Sequence, residues 1–224
     1  MLLADQRAAI IDACQELAAA GLVRGTSGNV SVRDQRSGAI AITPTGVRYS
    51  GMHPGDVPVL DADGKQVDGD LLPTSELALH LSVYRARPDV AAIVHTHSIF
   101  ATTFAVLGEP IPMVHYLLVR AGRQSPPVAP YARYGTEELA RSCVDTLGDG
   151  GAVLLANHGV VAVGADLGAA MAVAEAVEYT AELAWRARQL GLPQVLDEAQ
   201  CAAATEAFGT YGQPARREMP YINE

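Results

Sequence analysis

Ile93-Val94-His95-Thr96-His97 is an apolar run that ends by delivering two imidazoles two positions apart. Successive residues of a strand point to opposite faces, so His95 and His97 share one face and can grip one ion. Working outward, a carboxylate lies upstream in Pro73-Thr74-Ser75-Glu76. A third imidazole lies downstream in Leu154-Leu155-Ala156-Asn157-His158-Gly159, where glycine's freedom supplies a turn that aims His158 inward. Three neutral nitrogens and an oxygen suit a divalent metal such as zinc, whose catalytic sites keep a position that substrate can take. Two imidazoles buried on one strand face are costly without a partner. The pattern therefore reads as a metal-dependent lyase or isomerase.

The elements around this run can be placed from periodicity and punctuation. Residues 5–20 carry Ile10, Cys14 and Leu17 at helical spacing and stop at Gly21. Residues 30–33 and 39–43 read as paired strands, and 57–67 as a hairpin turning at Asp63-Gly64. Pro73-Thr74-Ser75-Glu76 opens a helix that runs to about Arg87 and halts at Pro88. A strand over 90–94, helices over 99–107 and 135–147, and strands over 152–156 and 160–163 follow. Helices over 167–190 and 196–208 come next, before a polar tail from about 209. Strands placed early and centrally, with helices throughout, predict an α/β chain: one mixed sheet covered by helices. No internal repeat, low-complexity segment or linker divides the chain, so residues 1–224 read as one domain.

Composition narrows the function. With 25 acidic against 16 basic residues the net charge is -9, which opposes nonspecific attraction to nucleic acid or anionic lipid. The N-terminal residues lack a long apolar run, so a cytoplasmic protein is expected, with neither nucleic acid nor membrane as a partner. Cys14, Cys143 and Cys201 are odd in number and widely separated, as reduced packing residues are. Asn29-Val30-Ser31 matches the glycosylation acceptor pattern only by accident in such a compartment. The remaining histidines weigh less: His53 sits in a turn and reads as solvent-facing, while His80, one helical turn after Glu76, competes as a ligand or as a partner of one. Lys65 is the only lysine and lies in an acidic turn that keeps it protonated, whereas imine chemistry wants it desolvated. Gly25-Thr26-Ser27-Gly28 is not a hydrolase elbow, because its second glycine follows the serine immediately.

Five segments occur together and in order: Gly25-Thr26-Ser27-Gly28-Asn29-Val30-Ser31, Thr43-Pro44-Thr45-Gly46, Pro73-Thr74-Ser75-Glu76, His95-Thr96-His97 and His158-Gly159. With them the chain resembles the class II aldolase/adducin family, and within it the L-fuculose-phosphate aldolases, over nearly its whole length to Thr210-Tyr211-Gly212. The resemblance implies a three-layer α/β/α domain with a mixed, largely antiparallel sheet, assembled as a homotetramer with active sites at subunit interfaces. It implies one zinc ion per subunit on Glu76, His95, His97 and His158. Phosphate contacts are implied at Gly28 with Asn29, Thr45 with Gly46, and Thr74 with Ser75, the last pair at a helix start whose dipole favours an anion. Glu76 would serve as ligand and base. Tyr116, reaching a neighbouring subunit's site, would protonate the aldehyde oxygen, and Tyr211 would close over the site from the tail.

The activity so implied is reversible cleavage of a ketose 1-phosphate, such as L-fuculose 1-phosphate, to dihydroxyacetone phosphate and a short aldehyde through a metal-stabilised enediolate. L-ribulose-5-phosphate 4-epimerases resemble the aldolases but carry aspartate where this chain has Glu76, so the longer carboxylate favours the aldolase. Methylthioribulose-1-phosphate dehydratases and decarboxylases share the metal pattern. Adducin heads, the non-enzymatic alternative, lack the full ligand set that is present here. Thr74 stands where serine is common in fuculose-phosphate aldolases and keeps the hydroxyl. The tail beyond Tyr211, through Pro214, Arg216, Arg217 and Pro220, is longer than the family pattern.

Overall fold

The apolar run before His97 forms the strand at the centre of the sheet. In this computed structural model, which describes residues 1–122, 125–209 and 211, Ala92–Thr96 (β5) is buried along its whole length. It pairs antiparallel on one side with Asn29–Arg33 (β1), setting Asn29 opposite His95. On the other side it pairs antiparallel with Gly159–Gly164 (β8), setting His95 opposite Val161. The strand starts two residues later than 90–94. Val90 is diverted because the Arg33 guanidinium binds the carbonyls of Tyr84, Arg87, Pro88 and Val90 and so shapes the turn into β5.

Ile40–Ile42 (β2), Val59–Leu60 (β3) and Gln66–Asp68 (β4) continue the sheet outward from β1, and Ala152–Leu155 (β7) and Val128–Ala129 (β6) continue it outward from β8. The order is β4-β3-β2-β1-β5-β8-β7-β6, with every pairing antiparallel except β6 with β7. The β3–β4 turn lies where the sequence placed it, closed by Asp61 Oδ1, which accepts from the amides of Asp63 and Lys65. β6 has no counterpart in the sequence reading, since two residues cannot show a period.

Helices cover both faces, as the alternation of side chains along the strands requires. Leu77–Ala86 (α2) and Glu137–Leu147 (α4) pack on one face against Ile40, Ile42, Ile93, Leu155 and Val161. Ala4–Ala19 (α1), Ile99–Leu107 (α3), Leu167–Leu190 (α5) and Glu198–Phe208 (α6) cover the other, against Val30, Ala41, Ala92, Val94, Leu154 and Ala162. The three-layer α/β/α arrangement expected from the sequence is the one observed. α4 begins two residues after 135 because Thr136 caps it, its hydroxyl accepting from Leu139 N at 3.3 Å. α2 likewise starts after the Pro-Thr-Ser-Glu segment. Glu76 is its cap residue, while Thr74 and Ser75 lie in the turn before it, with Thr74 Oγ1 accepting from Glu76 N.

Cys14, Cys143 and Cys201 are buried and unpaired, as expected; burial pushes the thiols of Cys14 and Cys143 up to about 12. No helix among the described residues is long and apolar enough to cross a membrane. The tail residues 210 and 212–224, with Pro214, Arg216, Arg217 and Pro220, lie outside the described residues.

Candidate active site

Four side chains converge at the end of β5. His95 and His97 come from that strand and the residue after it, His158 from the β7–β8 turn, and Glu76 from the cap of α2. Their ligand atoms all lie within 4.8 Å of one another. Every pair of the three imidazoles has ring centroids 4.9 Å apart with interplanar angles of 75–78°, a near-threefold propeller whose nitrogens point inward. His95 Nε2 is 3.0 Å from His97 Nε2 and 3.1 Å from Glu76 Oε2, and His158 Nε2 is 3.3 Å from Glu76 Oε1. Ligands held at 2.0–2.1 Å around a tetrahedral ion stand about 3.3 Å apart, so these separations suit one cation.

Hydrogen bonding supports the same reading. The Val160 carbonyl, 2.8 Å from His95 Nδ1, can only accept, so Nδ1 carries a proton and the neutral ring turns its Nε2 lone pair inward. Glu76 Oε1 is buried and accepts no hydrogen bond among the described residues. Inward lone pairs and an orphaned carboxylate oxygen repel one another unless a cation sits between them. Burial acts on the ionisation of every ligand. It pushes Glu76 up, but His95, His158 and an Asn29 hydrogen bond outweigh it and hold the carboxyl below its ordinary range. Burial, reinforced by neighbouring imidazoles, takes His97 down to about 3 and His158 to about 4, leaving both neutral. At His95 burial is offset by Glu76, and the net shift is upward, so a proton competes with a cation for that one nitrogen.

Two glycines make this convergence possible. Gly28 has φ +78°, and a Cβ there would stand 2.7 Å from the His95 carbonyl oxygen. Gly159 serves differently from the sequence expectation. Its backbone lies outside the left-handed region, and the residue that supplies the tight turn is Asn157, at φ 55°. What Gly159 contributes is the absence of a side chain, because a Cβ would stand 2.3 Å from Thr96 O and 2.9 Å from His97 Cδ2.

The cluster opens into a cleft of about 290 Å³ lined by Gly28, Asn29, Thr45, Gly46, Thr74 and Ser75 together with Glu76, His97 and His158. All six phosphate candidates thus share one wall system with the ligands. Asn29 has a further engagement: its amide, only 4% exposed, donates to Glu76 Oε2 at 2.9 Å and accepts from His80. His80 is fully buried, held neutral by burial at about 3, and stands behind Asn29 as a partner of the ligand set; His53 is exposed, as expected. The cleft also contains Thr26, Ser27, Tyr131, Tyr134 and Asn157. The first two and Asn157 adjoin motifs already singled out, whereas the tyrosines, in the β6–α4 connection, carry no local signal.

Tyr116 and Tyr211 do not line this cleft. Tyr116, 51% exposed, stacks on Phe208 at 5.9 Å, and Tyr211, 79% exposed, meets the same ring edge-on at 5.9 Å. Arg120 lies over Phe208, 4.4 Å from its centroid, and completes a separate surface cluster.

Residues 8–185 match the class II aldolase and adducin N-terminal domain. A 5-deoxy-D-ribulose 1-phosphate aldolase of Bacillus thuringiensis serovar kurstaki is 39% identical over 213 residues, covering 95% of this chain and 100% of that protein. An L-fuculose phosphate aldolase of Escherichia coli O6:H1 is 40% identical over 204 residues, covering 91% and 94%. A solved L-fuculose 1-phosphate aldolase superposes with a TM-score of 0.88 at 38% identity, covering 92% of this chain and 96% of that one.

Proposed function

Because the chain belongs to the class II aldolase and adducin N-terminal domain family, we propose that it reversibly cleaves a ketose 1-phosphate to dihydroxyacetone phosphate and a short aldehyde. One observation carries this reading: a carboxylate and three imidazoles converge at the base of a cleft whose other wall is built of hydroxyl groups and glycine turns. Glu76, His95, His97 and His158 would hold a divalent metal, zinc by the nitrogen-rich donor set. When bound, that ion would supply Lewis acidity toward the carbonyl and neighbouring hydroxyl oxygens of the sugar. Glu76 is the one carboxylate of the set, and we assign it the proton at C3: taken from dihydroxyacetone phosphate in condensation, returned in cleavage. Backbone N–H groups and hydroxyls of Gly28 with Asn29, Thr45 with Gly46, and Thr74 with Ser75 would cradle the phosphate, helped by the N-terminus of α2 beside them.

Tyr116 and Tyr211 are exposed and lie off their own cleft, which fits a role at the cleft of a neighbouring copy in a homotetramer. There Tyr116 would protonate the aldehyde oxygen and Tyr211 would close the site. The two named relatives differ in sugar but share a phosphorylated ketose, so the anion-binding wall is the common requirement and the aldehyde the variable one. The net charge of -9 opposes nonspecific attraction to nucleic acid and anionic membranes, so the phosphate would be held by local dipoles, and the cytoplasm is the compartment this reading assigns.

The test is release of dihydroxyacetone phosphate, followed by NADH oxidation through glycerol-3-phosphate dehydrogenase, with L-fuculose 1-phosphate and 5-deoxy-D-ribulose 1-phosphate as substrates, before and after EDTA. Release that EDTA abolishes and zinc restores is expected. Epimerisation of L-ribulose 5-phosphate without triose release would replace this reading with the epimerase.

A further inference from the structure

A buried hydrogen-bonded chain runs away from the site into the layer between α2 and the sheet. Asn29 Nδ2 lies 2.9 Å from Glu76 Oε2, Asn29 Oδ1 meets His80 Nε2, His80 Nδ1 lies 2.7 Å from Ser31 Oγ, and Ser31 Oγ lies 2.8 Å from the Tyr84 hydroxyl. Asn29, Ser31, His80 and Tyr84 are each less than 5% exposed. The polarity of the chain is forced from the Glu76 end. A carboxylate oxygen only accepts, so the Asn29 amide must turn its NH2 toward Glu76 and its carbonyl toward His80. His80 must then carry its proton on Nε2 and accept at Nδ1, so the Ser31 hydroxyl donates to His80 and accepts from Tyr84.

An asparagine amide is nearly symmetric in shape, and nothing but its partners decides which way round it sits. Flipped, it would aim its carbonyl oxygen at the Glu76 carboxylate and repel it. We propose that His80 is a positioning residue for Glu76: by donating from Nε2 it locks the Asn29 amide in the one orientation that holds the carboxylate against the imidazole cluster. Ser31 and Tyr84 complete the chain beyond His80, where their hydroxyls, each able to donate or accept, follow the polarity that Glu76 sets. The ladder explains why these residues meet, because Asn29 and Ser31 stand opposite His95 and Ile93 on the face of the sheet that α2 covers, and His80 follows Glu76 by one helical turn. The role given to Glu76 rests on the reading proposed above; its placement rests on the hydrogen bonds alone.

The test is a double-mutant cycle read as zinc affinity, by competition with a chromophoric chelator, on the full chain. His80→Phe keeps the ring volume and removes both nitrogens, and His80→Gln restores a donor toward Asn29. Loss of an outer partner of a metal ligand weakens binding by about 10–100-fold, and that loss is expected for H80F and for N29A. H80Q is expected to recover most of it. If His80 acts through Asn29, adding H80F to N29A costs little more; fully additive losses would overturn the proposal. Imidazole 15N chemical shifts of the wild-type chain give a second measurement that needs no variant to fold. A neutral Nε2–H tautomer at His80 is required, and an Nδ1–H tautomer would overturn it. Both readouts are independent of turnover, so absence of triose release would refute the proposed activity while leaving this assignment standing.

Discussion

Gly159→Ala tests the idea that the imidazole cluster is set by how closely β8 can approach β5. The added methyl would stand 2.3 Å from the Thr96 carbonyl oxygen, 2.9 Å from His97 Cδ2 and 3.3 Å from His95 Cε1. A carbon–oxygen contact settles at about 3.3 Å or more, so the shortfall against Thr96 is about 1 Å. That oxygen is backbone in a strand paired on both sides, with Thr96 opposite Val160, and cannot rotate away. Relief must come from opening the end of the ladder or from driving His97 off the propeller. Overpacking of this kind costs about 1–3 kcal/mol, and rigid neighbours place it toward the upper end. Disturbing two ligands should also weaken zinc binding by at least the tenfold that losing an outer partner produces. Urea unfolding in EDTA reads the first effect, and chelator competition reads the second. An alanine variant with an unchanged urea midpoint and undiminished zinc affinity would refute the argument that a missing side chain, rather than a flexible turn, is what this position provides.

His97→Ala removes one proposed ligand at the rim of the cluster, where the side chain is only partly buried. It should lose bound metal and triose release together while keeping its circular dichroism and most of its stability; retained metal would remove His97 from the ligand set. In the metal-free chain, burial holds His80 and His97 at about 3 and His158 at about 4, below the ordinary histidine value near 6.5. The unfolded chain therefore takes up protons there that the folded chain refuses, so stability is full above about 6.5 and falls as pH drops toward 4, by up to about 1.4 kcal/mol per unit for each such histidine. His95, shifted upward, opposes this with one group against three. The urea midpoint in EDTA should fall between pH 7 and 5, and a midpoint that rises over that range would refute the burial argument.

The cluster of Glu76, His95, His97 and His158 was legible because it obeys local rules. His95 and His97 share a face by the two-residue period of a strand, and Glu76 and His158 sit at segment ends marked by Pro73-Thr74 and Gly159. The long helix 167–190 was legible from its own pattern, since length lets periodicity speak. What escaped depends on contacts between distant segments. β6 exists only because Val128 and Ala129 lie beside Leu154 and Leu155. Tyr131 and Tyr134 enter the cleft through the fold of a connection with no period. The resemblance implies Asn29 as a phosphate contact, but that its buried side-chain amide is also engaged by Glu76 and His80, 47 and 51 residues away, shows only in the fold.

The register of the central ladder then explains why the cluster divides into three fixed imidazoles and one carboxylate that the sheet does not hold. Thr96 pairs with Val160, so the residue after it and the residue before it on the two strands, His97 and Gly159, meet where the ladder ends, and His158 follows at once in the turn. His95 is two residues deeper on the same face. A slip of one residue would send His95 and His97 to the face covered by α1, α3 and α5, so the register that builds the sheet also builds the imidazole propeller. Glu76 belongs to another layer. It reaches the cluster from the cap of α2, and its placement relies on Asn29 instead of on strand pairing. The proposed base must change its contacts during the reaction whereas the proposed metal scaffold must not, and the carboxylate is the one member of the cluster whose position is not dictated by the sheet.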